Sequence, residues 1–165
     1  MKFADNPQIP KYPYPELREV LNVFVDEVAA ELKENLVGIY LVGSIASGDF
    51  DLDSDVDFLV VTNTELTEAN MKSLQDIQTR IHEIDCYPAK HLEGSYISMS
   101  DLNDWGTVGK KTFIILITVA PHMSYQLTTI NGMFDGFFGN VELLWSVKNL
   151  KQFCKQFPQT NCPTK

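Results

Sequence analysis

Residues 40–61 read YLVGSIASGDFDLDSDVDFLVV, and this stretch decides the fold. An apolar strand over Ile39–Val42 runs into Gly43-Ser44, a short polar loop follows, and Asp55-Val56-Asp57 opens a second apolar strand over Phe58–Val61. Side chains at i and i+2 of a strand share a face, so Asp55 and Asp57 point together while Val56 points into the core. Two carboxylates held that close repel each other unless a cation sits between them. Magnesium prefers oxygen ligands, usually one or two carboxylates plus substrate phosphate oxygens. Held there, it would neutralise triphosphate charge and polarise the α-phosphate. Gly43 lets the backbone approach a phosphate and adopt conformations that other residues resist. Ser44 adds a hydroxyl donor, and the N–H groups that follow can form an anion-binding concavity. The expectation is a site for Mg2+ and a nucleoside triphosphate, with Asp55 and Asp57 as metal ligands and Gly43, Ser44 and Ser47 at the nucleotide.

The remaining acids sort by how firmly the chain can hold them. Asp49, Asp51 and Asp53 fall in the loop and read as a solvated acidic turn, with Ser47 and Asp49 either touching phosphate or closing the turn. Nucleotidyl transfer to a hydroxyl also needs a base or a third carboxylate. Glu93 is the best candidate because it opens the next predicted strand, with Asp85 as runner-up. His82 reads as a surface residue and His91 as a neighbour of Glu93 without an assigned role. Arg80 and Lys90 are the nearest cations for a triphosphate tail.

Working outward, Leu17, Val20, Leu21, Phe24, Val25, Val28 and Leu32 recur at three- and four-residue spacing, an amphipathic helix ending near Asn35. Thr67 caps a second helix marked by Met71, Leu74, Ile77 and Ile81. Residues 93–98 (EGSYIS) form a third strand, and Ser100 caps a turn over Asp101–Trp105. Helix, strand, turn, strand, helix, strand makes an α/β (α+β) domain with a small mixed β-sheet and flanking helices. The proline-rich residues 1–15 read as an extended arm and residues 16–103 as the domain. Residues 104–165 form an atypical C-terminal segment, with a helix over Val141–Phe157 through Leu144, Val147, Leu150 and Cys154.

A chain of 165 residues is long enough for one domain with a real core, and 44% hydrophobic content argues against global disorder. A net charge of −9 disfavours a nucleic-acid partner and suits a small cationic partner, or a nucleotide delivered with a divalent metal. The 3 cysteines, Cys86, Cys154 and Cys162, lack paired spacing and read as reduced thiols. The polar N-terminus carries no apolar signal core, and the run Phe113–Ala120 falls far short of the ~20 residues that span a bilayer. The expected setting is cytoplasmic, with no membrane partner.

The stretch GSIASGDFDLDSDVDFLVV resembles the signature of the DNA-polymerase-β-like nucleotidyltransferase superfamily: Gly-Ser, a loop, then Asp-x-Asp. Within it, residues 12–103 look most like bacterial aminoglycoside adenylyltransferases, through YPELREVLNVFVDEV, the central motif and HLEGSYIS. The resemblance implies AMP transfer from Mg-ATP to a hydroxyl of a small acceptor, an aminoglycoside being the candidate, and hence a part in antibiotic resistance. It assigns phosphate binding to Gly43 and Ser44, magnesium to Asp55 and Asp57, and activation of the acceptor hydroxyl to Glu93. The alternatives are a non-catalytic antitoxin or regulatory module of the same fold with a helical partner, and an inactive truncated remnant. Relatives continue with a segment like LWYLDNG and helices carrying RWxLREHGI, which residues 104–165 lack. Under a one-base shift of plausible codons, residues 110–119 read EDLYYLDNG, so this tail is expected to be a frameshifted reading of a longer relative. The helical domain that helps cradle the acceptor would then be missing and activity impaired; resequencing through residue 110 decides it.

Overall fold

Pro15 opens the first helix, α1 (Pro15–Leu32), at a position where its missing N–H costs nothing. The apolar residues predicted for its inner stripe, Leu17 through Leu32, are all buried. Lys33 leaves the helix at φ 48° and begins a short 3-10 turn, Lys33–Asn35, that delivers β1 (Leu36–Val42). Next come a single helical turn, α2 (Ser44–Ser47), and β2 (Val56–Thr62). Thr67 then caps α3 (Glu68–His82). The Thr67 hydroxyl accepts from the Asn70 N–H while the Asn70 side chain accepts from the Thr67 N–H, a reciprocal capping box. The short α4 (Tyr87–Lys90), β3 (Leu92–Ser98) and α5 (Met99–Asn103) follow, then β4 (Phe113–Val119), β5 (His122–Thr128) and β6 (Glu142–Ser146). This computed structural model describes residues 14–51, 53–103, 113–119, 122–128 and 142–146. The predicted arm over 1–15 lies almost wholly outside them.

Among the described residues the strands form one mixed sheet in the order β5-β4-β3-β2-β1-β6. β1 runs antiparallel to β2, and β2 parallel to β3. The parallel pair needs a crossover, which α3 and α4 provide. Ile39, Leu41, Phe58, Val60 and Tyr96 join the core beneath α1 and α3. There Phe58 packs against Phe24 at 4.5 Å and Tyr96 at 5.7 Å between ring centroids. Each such aromatic pair contributes about 0.5–1.5 kcal/mol beyond its buried area. Alternation then sends Asp57, Leu59 and Val61 of β2, and Glu93, Ser95 and Ile97 of β3, to the opposite face. The carboxylates therefore lie away from the helices, at the end of the sheet where β1 leaves and β2 and β3 begin.

Two expectations are corrected here. The helix over Val141–Phe157 is not formed at its start: residues 142–146 are the strand β6, paired antiparallel to Gly38–Leu41 of β1. An open sheet edge presents a row of backbone donors and acceptors, and pairing with it outweighs a weak helical period. The cap of the last described turn is Ser98 rather than Ser100: the Asp101 N–H donates to Ser98 Oγ at 3.2 Å, and α5 starts at Met99.

Candidate functional site

Gly43 ends β1 at φ 69° and ψ −148°, a conformation that L side chains rarely adopt. The chain folds back at once into α2, where the Ala46 and Ser47 N–H groups both donate to the Gly43 carbonyl, at 3.2 and 3.1 Å. Gly48 (φ 84°) closes the turn, and the Asp49 N–H donates to the Ser44 carbonyl at 3.0 Å. Ser47 Oγ lies 3.0 Å from both the Ser44 carbonyl and Asp49 Oδ2, so both side chains serve the turn itself.

Val42 pairs with Asp57 across the antiparallel ladder, which carries the Asp57 carboxylate across the end of β1. A Cβ added to Gly43 would lie 2.5 Å from Asp57 Oδ2. The glycine is therefore required twice, by its dihedrals and by the carboxylate seated on its α-carbon. In the parallel ladder Asp57 pairs with Glu93, so these two acids are side-by-side neighbours on one face. Asp55 shares their parity but sits exposed just before β2 starts.

The electrostatics follow from that crowding. Burial, and then the charge of Asp55, push the Asp57 carboxyl above its ordinary range. Glu93 is raised by burial first, then by Asp55 and Asp57, with His91 opposing. Asp51 behaves otherwise: Ser54 Oγ donates to it at 2.6 Å and the Asp53 N–H at 3.1 Å, holding its carboxyl below the usual range. That is the signature of a solvated turn residue, as the sequence suggests for the loop acids.

The predicted residues Gly43, Ser44, Asp55, Asp57 and Glu93 thus gather where three neighbouring strands meet their loops. Others do not join them. Arg80 pairs with Glu27 of α1, and Lys90 Nζ donates to the His82 carbonyl at 2.6 Å, so neither cation is free for a triphosphate tail. Asp85 stays in an exposed bend after α3, and His82 is half-buried with its Nδ1 atom buried, against the surface reading. Sequence reasoning left His91 without a role and overlooked Tyr87. His91 Nδ1 lies 3.0 Å from Asp55 Oδ1, and the Tyr87 ring stacks on the imidazole at 3.9 Å. The one signal in the sequence is Pro88, which starts a helical turn and so brings Tyr87 and His91 onto one side.

The donor set suits a hard divalent cation. It offers only carboxylate oxygens, and burial together with the neighbouring acids disfavours ionisation of Asp57 and Glu93, an effect that a cation opposes. Among the described residues no group of three or more His, Cys, Asp and Glu side chains is arranged to hold a metal by itself. A cation at Asp55 and Asp57 would complete its shell with substrate oxygens or water, which is the habit of magnesium.

Residues 23–104 match the family model described as a nucleotidyltransferase domain, so this stretch of the chain is a nucleotidyltransferase domain. Spectinomycin 9-adenylyltransferase of Staphylococcus aureus is 34% identical over 84 residues, covering 48% of this chain and 32% of the relative. A candidate protein adenylyltransferase of Methanocaldococcus jannaschii is 32% identical over 65 residues, covering 39% of this chain and 66% of the relative. Spectinomycin adenyltransferase AAD(9) from Enterococcus faecialis, solved with ATP and spectinomycin, superposes with a TM-score of 0.60 at 18% identity, over 82% of this chain and 58% of that one. The chain spans about a third of the length of the Staphylococcus relative it matches. No helix among the described residues is long and apolar enough to cross a membrane.

Proposed function

We propose that residues 16–103 transfer AMP from Mg-ATP to a hydroxyl of a small acceptor, an aminoglycoside or related aminocyclitol being the first class to try. The observation that carries the reading is the Asp57–Glu93 register beside Gly43. Two neighbouring carboxylates beside the Gly43 turn support reading Asp57 as a cation ligand and Glu93 as the proton acceptor. The names of the Staphylococcus and Enterococcus relatives support the acceptor class. A cytoplasmic setting and the division into arm (1–15), domain (16–103) and tail (104–165) belong to the same proposal.

Asp55 and Asp57 would hold magnesium, which when bound neutralises triphosphate charge and makes the α-phosphorus easier to attack. Gly43 and Ser44 receive the phosphates, with Ser47 keeping the turn in shape. Glu93 takes the acceptor's hydroxyl proton as the new oxygen–phosphorus bond forms. The bond from the α-phosphorus to the bridging oxygen breaks, pyrophosphate leaves with that electron pair, and Glu93 returns its proton to solvent. Its raised pKa makes the ionised carboxylate a stronger base than an ordinary glutamate.

The match to the Methanocaldococcus chain favours a second acceptor class, a protein hydroxyl. One assay separates the readings: pyrophosphate release from Mg-ATP with a panel of aminocyclitols and with candidate protein acceptors. Acceptor-dependent release is expected, and Glu93→Gln should cut it by about 100- to 10,000-fold while ATP still binds. Equal turnover in Glu93→Gln removes the base assignment. ATP binding without turnover on any acceptor favours the non-catalytic module or the inactive remnant.

A further inference from the structure

Asp55 presents a problem of precision. It precedes the first residue of β2 and is exposed, so no strand ladder fixes its carboxylate. A ligand left to choose among rotamers binds poorly, and useful sites lock such groups through neighbouring contacts. The contacts here come from α4 and the residue after it. The Tyr87 hydroxyl donates to the Asp53 carbonyl at 2.8 Å. The Tyr87 ring lies on the His91 imidazole with 3.9 Å between centroids and 16° between planes, and the two residues are spaced i, i+4 on one side of a helical turn. His91 then grips the start of β2 twice: its carbonyl accepts from the Val56 N–H at 2.8 Å, and its Nδ1 meets Asp55 Oδ1 at 3.0 Å. An ionised carboxylate can only accept, so Nδ1 carries the hydrogen. The bond uses part of the acceptor capacity of Oδ1 and leaves the rest of the carboxylate for a cation.

We infer that His91, braced by Tyr87, is the positioning residue for Asp55, fixing this carboxylate in its ligand orientation. The inference rests on the metal–nucleotide reading above. Hydrogen bonds from outer residues orient ligating groups in this way, and their loss typically weakens metal binding by about 10- to 100-fold.

The test titrates Mn2+, read by its paramagnetic resonance signal, with an α,β-methylene analogue of ATP, into the full chain and its variants. His91→Ala should weaken binding about 10-fold or more, and Tyr87→Leu should show a smaller loss. His91→Asn, whose amide donor falls close to the Nδ1 position, should recover most of the affinity. His91→Gln, whose donor reaches the Nε2 position instead, should not. Melting temperatures without ligand should stay within about 2 °C of wild type, since half-exposed side chains contribute little to stability. Wild-type affinity in His91→Ala, or in His91→Gln should the alanine variant not fold, overturns the inference. So does failure of His91→Asn to outperform His91→Ala, which would assign the loss to packing. Asp57→Asn distinguishes the two levels. If it alone loses binding, the positioning role falls and the metal reading stands. If it binds as well as wild type, or if wild type does not bind, both fall.

Discussion

Replacing Gly43 with alanine tests the geometry of the site most directly. The residue sits at φ 69° and ψ −148°, beside a region that glycine alone occupies readily. Forcing another residue there costs about 1–3 kcal/mol. A chain of 165 residues loses about 2–4 °C of melting temperature per kcal/mol, so Gly43→Ala should melt roughly 2–12 °C below wild type. The new methyl would also lie 2.5 Å from Asp57 Oδ2, so the carboxylate must move. Displacing a reacting group by about 1 Å costs on the order of 100-fold in rate, and turnover should fall accordingly. Gly48→Ala is the matched control. Gly48 also has positive φ (84°), yet nothing lies within 4 Å of its added Cβ. It should cost about 1–2 kcal/mol and leave turnover near wild type. The assays are thermal melting and acceptor-dependent pyrophosphate release on both variants. If the two substitutions affect stability and turnover equally, the carboxylate is not seated on Gly43 as described.

Asp57→Asn and Glu93→Gln should both raise the melting temperature of the ligand-free protein at neutral pH, even as the first abolishes metal–triphosphate binding. The sign follows from the raised pKa of each acid: the folded state holds these protons more tightly than the unfolded chain. Stability therefore falls as pH climbs from the ordinary carboxylate range through the raised values. The variants' advantage should vanish near pH 3, where wild type is protonated too, and a pH series of melts checks both halves. Thr67→Ala removes the capping box of α3 and should cost about 1 kcal/mol without changing nucleotide affinity, as measured by denaturant melts and calorimetry.

The parts of this fold that sequence revealed are those governed by local pattern. The seven apolar residues of α1 recur on one stripe and all are buried, and the Thr67 cap falls where the helical period begins. The strands of the central motif are visible because their apolar runs are bracketed by Gly43 and by the aspartates. Partnerships between distant segments left no such mark. Whether Glu93 stood beside Asp57 or a residue away depended on the β2–β3 register, which is fixed by the packing of Val56, Phe58, Leu92 and Tyr96 beneath the helices. The His91–Asp55 contact was hidden for the same reason, since residues 36 apart meet only once α4 has turned. Leu144 and Val147 looked helical because no local rule announces that the edge of β1 will recruit the segment Glu142–Ser146 as a strand.

The parallel pairing of Asp57 with Glu93 makes the sheet a gauge. Adjacent strands stand about 4.8 Å apart whatever side chains they carry, so the backbone fixes the bases of the two acids. Only the length of each side chain adjusts what lies between their tips. A one-residue slip of either strand would turn its acid into the core and expose Phe58 or Tyr96, a penalty too large for drift. The spacing between the Asp57 and Glu93 carboxylates is thus insured by hydrophobic burial on the far face of the sheet. Changes in the loops that flank these strands leave that spacing untouched, because it is stored in the sheet and the core beneath it.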